Sequence, residues 1–416
     1  MKTNRNKWLM ATASSSTHLG DVIFEYAIKW WIASISTSAT FLAVVLSIET
    51  LVSSLFNMIG GVFADRYDRR KLLIGTDIIS GIGALALYFF AGGSSGLVLL
   101  LIVNTMLAVT YSIYAPTSKA IVVQLFEKKE IPSANALFNG LGEVVKIAGP
   151  ALGVLLIGVG GIQLAFLINA ISFFLSAALQ SFFAIEGSPI EENEGADQKA
   201  TFDGAIKEFK QELVEGWKYV RREKRIFAIL LLASGANFFI AGYLLLLPFV
   251  AKQYVFLENL YGWLLTAQAI GGILGAILCQ RLKIGLSAHS IGNYLLIPAI
   301  GILLTFLIVT LHLNPLIMLM GTACYGIGLA LFNIQFVSYI QQHTAPEYIG
   351  RVFSIIFTIA ILFIPVGNFV FDALYALIGD SIFLIISLGI TGTVLAYRHL
   401  TMKEELIEEE QLEIGH

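Results

Sequence analysis

The sequence predicts an all-α integral membrane protein: about twelve transmembrane helices in two six-helix, pseudo-symmetric bundles. Three observations carry this expectation. First, apolar runs of about 20 residues recur along the chain, the length an α-helix needs to cross a hydrocarbon core about 30 Å thick. They do not alternate every second residue, as strands of a membrane barrel would. Only 13 % of the 416 residues are charged, against about 25 % in a soluble domain, and the mean hydropathy is +0.79. Second, Lys and Arg fall in every other loop, as the positive-inside rule requires of a multi-pass chain. Third, the two halves repeat at an offset near 215 residues.

The runs follow in order. Helix 1 is expected from Lys7 to Ser34, helix 2 from Thr40 to Ala64 and helix 3 from Lys71 to Phe90. An uncharged Gly/Ser turn over Ala91–Gly96 leads to helix 4, Leu97 to Leu125. The charged turn Glu127-Lys128-Lys129-Glu130 leads to helix 5, Ser133 to Gly158, and helix 6 runs from Ile162 to Ile185. A polar linker, 186–225, comes next. Its acidic first part reads as disordered. Phe202, Ile206, Phe209, Leu213 and Trp217 recur at helical spacing, so its second part reads as an amphipathic helix at the membrane surface. Six further runs span Ile226–Ala251, Leu260–Gln280, Ser287–Leu311, Pro315–Ile340, Ile349–Ile378 and Ser381–Arg398. The expected domains are therefore 1–185, the linker 186–225, 226–400 and a charged tail 401–416.

Loops 2/3, 4/5, 6/7, 8/9 and 10/11 and both termini carry the cations, and Lys252 is the exception on the other side. Both termini are expected in the cytoplasm and the chain in a cytoplasmic membrane. No cleavable signal peptide is expected, because Asp21, Glu25 and Lys29 interrupt the first run. In the repeat, Gly61-x-x-x-Asp65-Arg66 matches Gly275-x-x-x-Cys279-Gln280-Arg281, Gln124…Glu130 matches Gln341…Glu347, and Pro150 matches Pro365. Such repeats imply a transporter with its site near the midplane, between the halves.

Ionisable residues inside spans cost about 2.5–3.5 kcal/mol at the bilayer centre on insertion scales, so they mark function or a buried partner. Asp21, Glu25 and Lys29 stand four residues apart and share one helical face. Asp21 lies roughly 20 Å from the cytoplasmic end at about 1.5 Å per residue, past the midplane. A carboxylate there can take a proton from one side and release it to the other, in competition with substrate. Glu25 and Lys29 can equally form a pair that makes the helix insertable. Glu143 and Lys146 form a second possible pair or a cavity-facing site, and Glu49 has no neighbour of opposite charge. His18 reads as a bystander. These five, Asp21, Glu25, Glu49, Glu143 and Lys146, are the proton or substrate candidates.

The loop Gly61-Val-Phe-Ala-Asp65-Arg66-Tyr67-Asp68-Arg69-Arg70 resembles the loop-2/3 signature of the major facilitator superfamily. The resemblance implies that Gly61 lets two helices approach, and that Asp65, Arg66, Arg69 and Arg70 lock helix ends in the outward-facing state. The family has glycine where this chain has Asp68. Asp77 is a candidate partner for these arginines. Glu347-Tyr-Ile-Gly350-Arg351-Val-Phe353 and Gly20-Asp21 resemble the macrolide-efflux-like branch, which adds Arg351 to the gate. Gly149-Pro150-Ala-Leu-Gly153 resembles the core of the antiporter signature of exporters, a kink with close packing, though Val145 stands where that signature has a glycine.

No phosphate-binding Gly-x-x-x-x-Gly-Lys-Ser/Thr occurs, so ATP is not the expected energy source. No nucleophile elbow and no His/Cys set at metal spacing appears, so neither enzyme activity nor a metal or cofactor is expected. Cys279 and Cys324 lie far apart in apolar runs and support no disulfide. The basic loops are too short and scattered for nucleic acid. The expected partners are protons, membrane lipid and a small amphipathic substrate, macrolide-like in character, carried outward at the expense of the proton gradient by a monomer. Two rivals stay open: a siderophore or lipid exporter or flippase on the same fold, and a non-transporting sensor or scaffold, for which the linker is too small to be an output domain.

Overall fold

In the computed structural model the described residues are 2–91, 95–184, 214–254, 256–257, 259–281, 288–345 and 348–414. They hold twelve long helices and no strand. Helices α1 (Lys2–Ile35), α2 (Thr40–Arg66), α3 (Arg69–Phe90) and α4 (Ser95–Leu125) come first. The next helix, Ile131–Ser181, breaks at Gly160 and at Gly161, whose φ of 67° is one that glycine adopts without strain. Its arms are α5 (131–159) and α6 (162–181). After a short helix over 214–222 come α7 (Lys224–Gln253) and α8 (Leu260–Arg281). The ninth helix, α9, enters as Ala288–Ile291, tightens to a 3-10 turn over Gly292–Leu295 and continues as Leu296–Thr310. Pro298 explains the tightening, because it lacks the N–H that would bond the Tyr294 carbonyl. A 3-10 turn, Pro315–Ile317, opens α10 (Met318–His343), followed by α11 (Ile349–Ile378) and α12 (Ile382–Ile414).

Among the described residues eight stretches are long and apolar enough to cross a membrane, and one of them, Arg351–Thr401, spans most of α11 and the first part of α12. Helix α1 falls outside this set; it carries Asp21, Glu25 and Lys29 in mid-helix. The expected break between a last span and a charged tail does not occur: the α12 backbone stays helical to Ile414. Lys403 to Leu412 is rich in Glu, Lys, Leu and Gln, all good helix formers, so nothing stops the helix at the membrane edge. The side chains of 402–416 lie outside the described residues, as do 185–213, where most of the expected amphipathic linker helix falls.

The chain divides into two compact units, Met1–Ile35 with Val45–Thr201, and Ser36–Val44 with Phe202–His416. In the first, α1 packs on α5 and α6, and α3 on α4 and on the α5–α6 pair. A cluster of Met10, Leu73, Ile121, Val122, Leu125, Phe126, Ala134 and Phe183 closes one end. In the second unit the main pairs are α8 with α10, α7 with α11, and α9 with α10 and α12.

The repeat recurs in these contacts. A Cβ on Gly60 would lie 1.9 Å from the Ser112 carbonyl oxygen, and one on Gly275 would lie 2.5 Å from that of Ile327. Both members of the second contact are displaced by 215 residues from the first. The α2–α4 crossing and the α8–α10 crossing are thus the same joint. This corrects the alignment by one residue: Gly60, not Gly61, is the structural mate of Gly275. Gly61 has nothing within 4 Å among the described residues.

Asp68 has a definite role at the signature loop. Its carboxylate accepts the Lys71 backbone N–H at 2.9 Å and caps α3. Where the family places a glycine, this chain begins a helix with a side-chain cap. Asp68→Ala is expected to cost about 1 kcal/mol, read as a lower Tm of the purified protein, and Asp68→Asn to cost much less.

Candidate functional site

The site is a cavity of about 280 Å³ inside the first unit, lined from α1 by Thr17, His18, Asp21, Glu25 and Lys29. Helix α2 adds Glu49, α3 adds Thr76, Asp77 and Ser80, and α4 adds Asn104, Thr110, Tyr111 and Tyr114. Apolar groups such as Val22, Phe24, Ile28, Leu107 and Phe173 complete the wall. Four carboxyl groups therefore face one space with a single lysine and one imidazole.

Glycines hold α1 so that this face points inward. A Cβ on Gly20 would meet Ser172 Oγ at 2.1 Å and Asn169 Oδ1 at 2.5 Å, so α1 is pressed on α6 one residue before Asp21. A Cβ on Gly149 would lie 2.4 Å from Val22 and one on Gly153 2.6 Å from Tyr26, matching an i, i+4 pair on each helix. The antiporter-like stretch is thus a joint between α5 and α1. Pro150 sits within it while the backbone on either side stays helical.

The carboxylates are not equivalent. Glu25 is neutralised by a close ion pair with Lys29. Glu49 lines the cavity together with Asn104, whose side-chain amide donates to the Val45 carbonyl at 3.4 Å. Asp21 lines the cavity with no hydrogen-bond partner among the described residues. Asp77, expected beside the signature arginines, is buried and accepts from Gln180 Nε2 at 2.9 Å. Ser80 and Thr110 share a hydrogen bond at 2.8 Å on the same wall.

Glu143 and Lys146 pair at 2.6 Å, with both side chains half-exposed, outside the cavity lining. The signature arginines serve helix ends within the first unit. Arg69 donates to the carbonyls of Ala64 and Ala120, both at 3.0 Å, and Arg70 to that of Ser181. Ala64 and Ser181 belong to the last turns of α2 and α6, where cations are favoured, and Ala120 lies one turn further inside α4. Arg66 closes α2, and the Asp65 side chain lies outside the described residues. In the second unit Arg351 pairs with Glu215 at 2.8 Å. Tyr219 stacks on Tyr348 with centroids 4.6 Å apart, so the end of the linker packs on the start of α11.

The polar wall of α3 and α4 was the part missed by sequence reasoning. Its signal is present: Asn104, Leu107, Tyr111 and Tyr114 repeat at three and four residues, as do Thr76, Asp77 and Ser80. No group of His, Cys, Asp and Glu among the described residues is arranged to hold a metal.

Residues 10–368 match the Major Facilitator Superfamily. The chain is similar to macrolide efflux protein A of Streptococcus pyogenes, 24 % identical over 364 residues and covering 85 % of each chain. It is also similar to the putative bacilysin exporter BacE of Bacillus subtilis (strain 168), 25 % identical over 340 residues and covering 79 % of each. Among solved structures, a bacterial homolog of the human lysosomal transporter Spinster, inward-facing and occupied, has a TM-score of 0.69 at 13 % identity, covering 95 % of this chain and 96 % of that one. The nucleoside transporter NupG has 0.67 at 14 %, covering 95 % and 99 %. At such identities the structures speak for the fold, and fold, helix count and sequence match agree: the chain is a multi-pass membrane protein of the major facilitator superfamily, a family of transporters.

Proposed function

We propose that the chain is a proton-coupled exporter of amphipathic small molecules, cationic or neutral and lipophilic, in a cytoplasmic membrane. The observation that carries this is the acidic cavity of the first unit. Lys29 answers Glu25, which leaves Asp21, Glu49 and Asp77 against an apolar wall. A carboxyl group in such a place binds either a proton or a cationic group of the substrate, since each satisfies the same charge. Mutual exclusion at one carboxylate, read alternately from two sides, is sufficient for antiport. Asp21 is the first choice for that carboxylate and Glu49 the second. The half-exposed Glu143–Lys146 pair remains a candidate contact for substrate.

Names of efflux proteins among the relatives support the outward direction. The placement of Lys and Arg supports both termini inside. No energy source but the ion gradient is invoked, and each charge moved across 100 mV supplies about 2.3 kcal/mol.

The test uses inside-out vesicles with an acid interior and a pH-sensitive dye inside. Lipophilic cations, macrolides and siderophores are added singly. The expected result is leakage of protons on addition of at least one lipophilic cation or macrolide, absent from vesicles lacking the protein. A response to siderophores alone would replace the substrate class. Silence across the panel from folded protein would sink proton coupling to these substrates.

A further inference from the structure

Asp77 and Gln180 stand apart from the other polar pairs of the cavity. They are 2 % and 1 % exposed. Gln180 Nε2 uses both hydrogens, one to Asp77 Oδ2 and one to Ser176 Oγ, each at 2.9 Å. Its Oε1 is buried and accepts no hydrogen bond among the described residues. A primary amide has two donors and two acceptor lone pairs, and a buried acceptor left empty is unfavourable.

Turning this amide by half a revolution exchanges its nitrogen and oxygen. Oε1 then faces Asp77 and Ser176. An ionised Asp77 has nothing to donate to it, whereas a protonated Asp77 donates its O–H. The ionised form therefore fits the observed orientation alone, whereas the acid form, which keeps a carbonyl oxygen to accept and gains an O–H to donate, fits either.

We propose that Asp77 and Gln180 form a second proton-binding site, between the deep carboxylates of the cavity and the signature-loop end of the unit. The position follows from the chain. Asp77 lines the same cavity as Asp21 and Glu49. Eight residues of α3, about 12 Å, separate it from Arg69. Gln180 adjoins Ser181, whose carbonyl takes Arg70. The step is a proton transfer and nothing more. The acid form of Asp21 or Glu49 loses its proton, water in the cavity carries it, and the Asp77 carboxylate receives it. Release towards the loop returns Asp77 to the ionised form, which only the observed orientation suits.

The charged and titratable groups around Asp77 are Asp21, Glu25, Lys29 and His18 from α1, Glu49 from α2, and Tyr111 and Tyr114 from α4. Helix α6 brings Ser176 and Gln180, which do not titrate. Helix α5 carries Glu143 and Lys146, and α3 itself carries Arg69, Arg70 and Lys71 at its start.

The place of this site in transport rests on the proton-coupled reading above; the site itself does not. Its test is therefore an equilibrium one: infrared difference spectra of the purified full chain against pH, with no substrate. One titrating carboxyl C=O band is expected to vanish in Asp77→Asn and persist in Asp21→Asn. In Gln180→Leu the band should stay, move to higher frequency, and titrate about one pH unit higher, because the ionised form loses a charge-assisted hydrogen bond. A wild-type band set unchanged by Asp77→Asn would overturn the proposal. If Asp77→Asn does not fold, Gln180→Leu decides alone, and an unmoved band with an unmoved midpoint is the negative answer. The Asp77 band seen in a protein without antiport upholds the site and removes only its transport role. Intact antiport with no such band removes the site and leaves the exporter.

Discussion

Asp21→Asn is expected to abolish uphill export and leave downhill movement. The substitution keeps the shape of the side chain and removes its proton. When one cation leaves for one proton no net charge crosses, so the pH step alone drives accumulation, about tenfold in concentration ratio, or about 1.4 kcal/mol, per pH unit. That ratio should collapse to about one, since without the titrating group binding of substrate no longer requires loss of a proton. Vesicles loaded with a responsive lipophilic cation and energised by a pH step measure it directly. Glu25→Gln should behave differently. It removes the ion pair with Lys29, in which the Glu25 side chain is 57 % exposed, and a pair open to solvent is worth about 0–1 kcal/mol. Folded protein should be recovered with a thermal midpoint close to that of the wild type. Full accumulation by both Asp21→Asn and Glu49→Gln would end the antiport reading.

The second large effect belongs to two adjacent glycines. Gly60→Ala should destabilise the protein by about 1–3 kcal/mol, the usual range for overpacking. Its new methyl would sit 1.9 Å from the Ser112 carbonyl oxygen, a backbone atom that moves only if α2 and α4 part. Gly61→Ala should be neutral or stabilising, because its Cβ meets open space and alanine is the better helix former by about 0.5–1 kcal/mol. Gly275→Ala should repeat the Gly60 result in the second unit, more mildly at 2.5 Å from Ile327 oxygen. Thermal midpoints of the three purified variants give the comparison. Equal midpoints for Gly60→Ala and Gly61→Ala would mean that the α2–α4 joint is not where the structure places it.

Both cases show which parts were legible in the chain. The spans, the alternating basic loops and the common face of Asp21, Glu25 and Lys29 are local. Each follows from run length, from charge, or from a spacing of four residues on one helix. The break between α5 and α6 was legible too, because Gly160-Gly161 admits a backbone that other residues resist. The repeat was visible, though not its register. Adjacent residues on a helix point about 100° apart, so choosing Gly60 over Gly61 as the joint required knowing which face of α2 meets α4.

Long-range partners left no local trace. Asn104 shares the cavity with Glu49, and Gln180 bonds Asp77 from a helix 103 residues away in sequence. Asp77 was placed with the arginines because it lies two turns from them along the chain, whereas the rotation of α3 against α4 and α6 turns it into the cavity. Sequence by itself determined how many helices cross the membrane and which of them carry charge. Tertiary packing decided which charges share a space and which are neutralised, because hydropathy and spacing are written along one helix while the angle at which each helix faces its neighbours is set by all of them together.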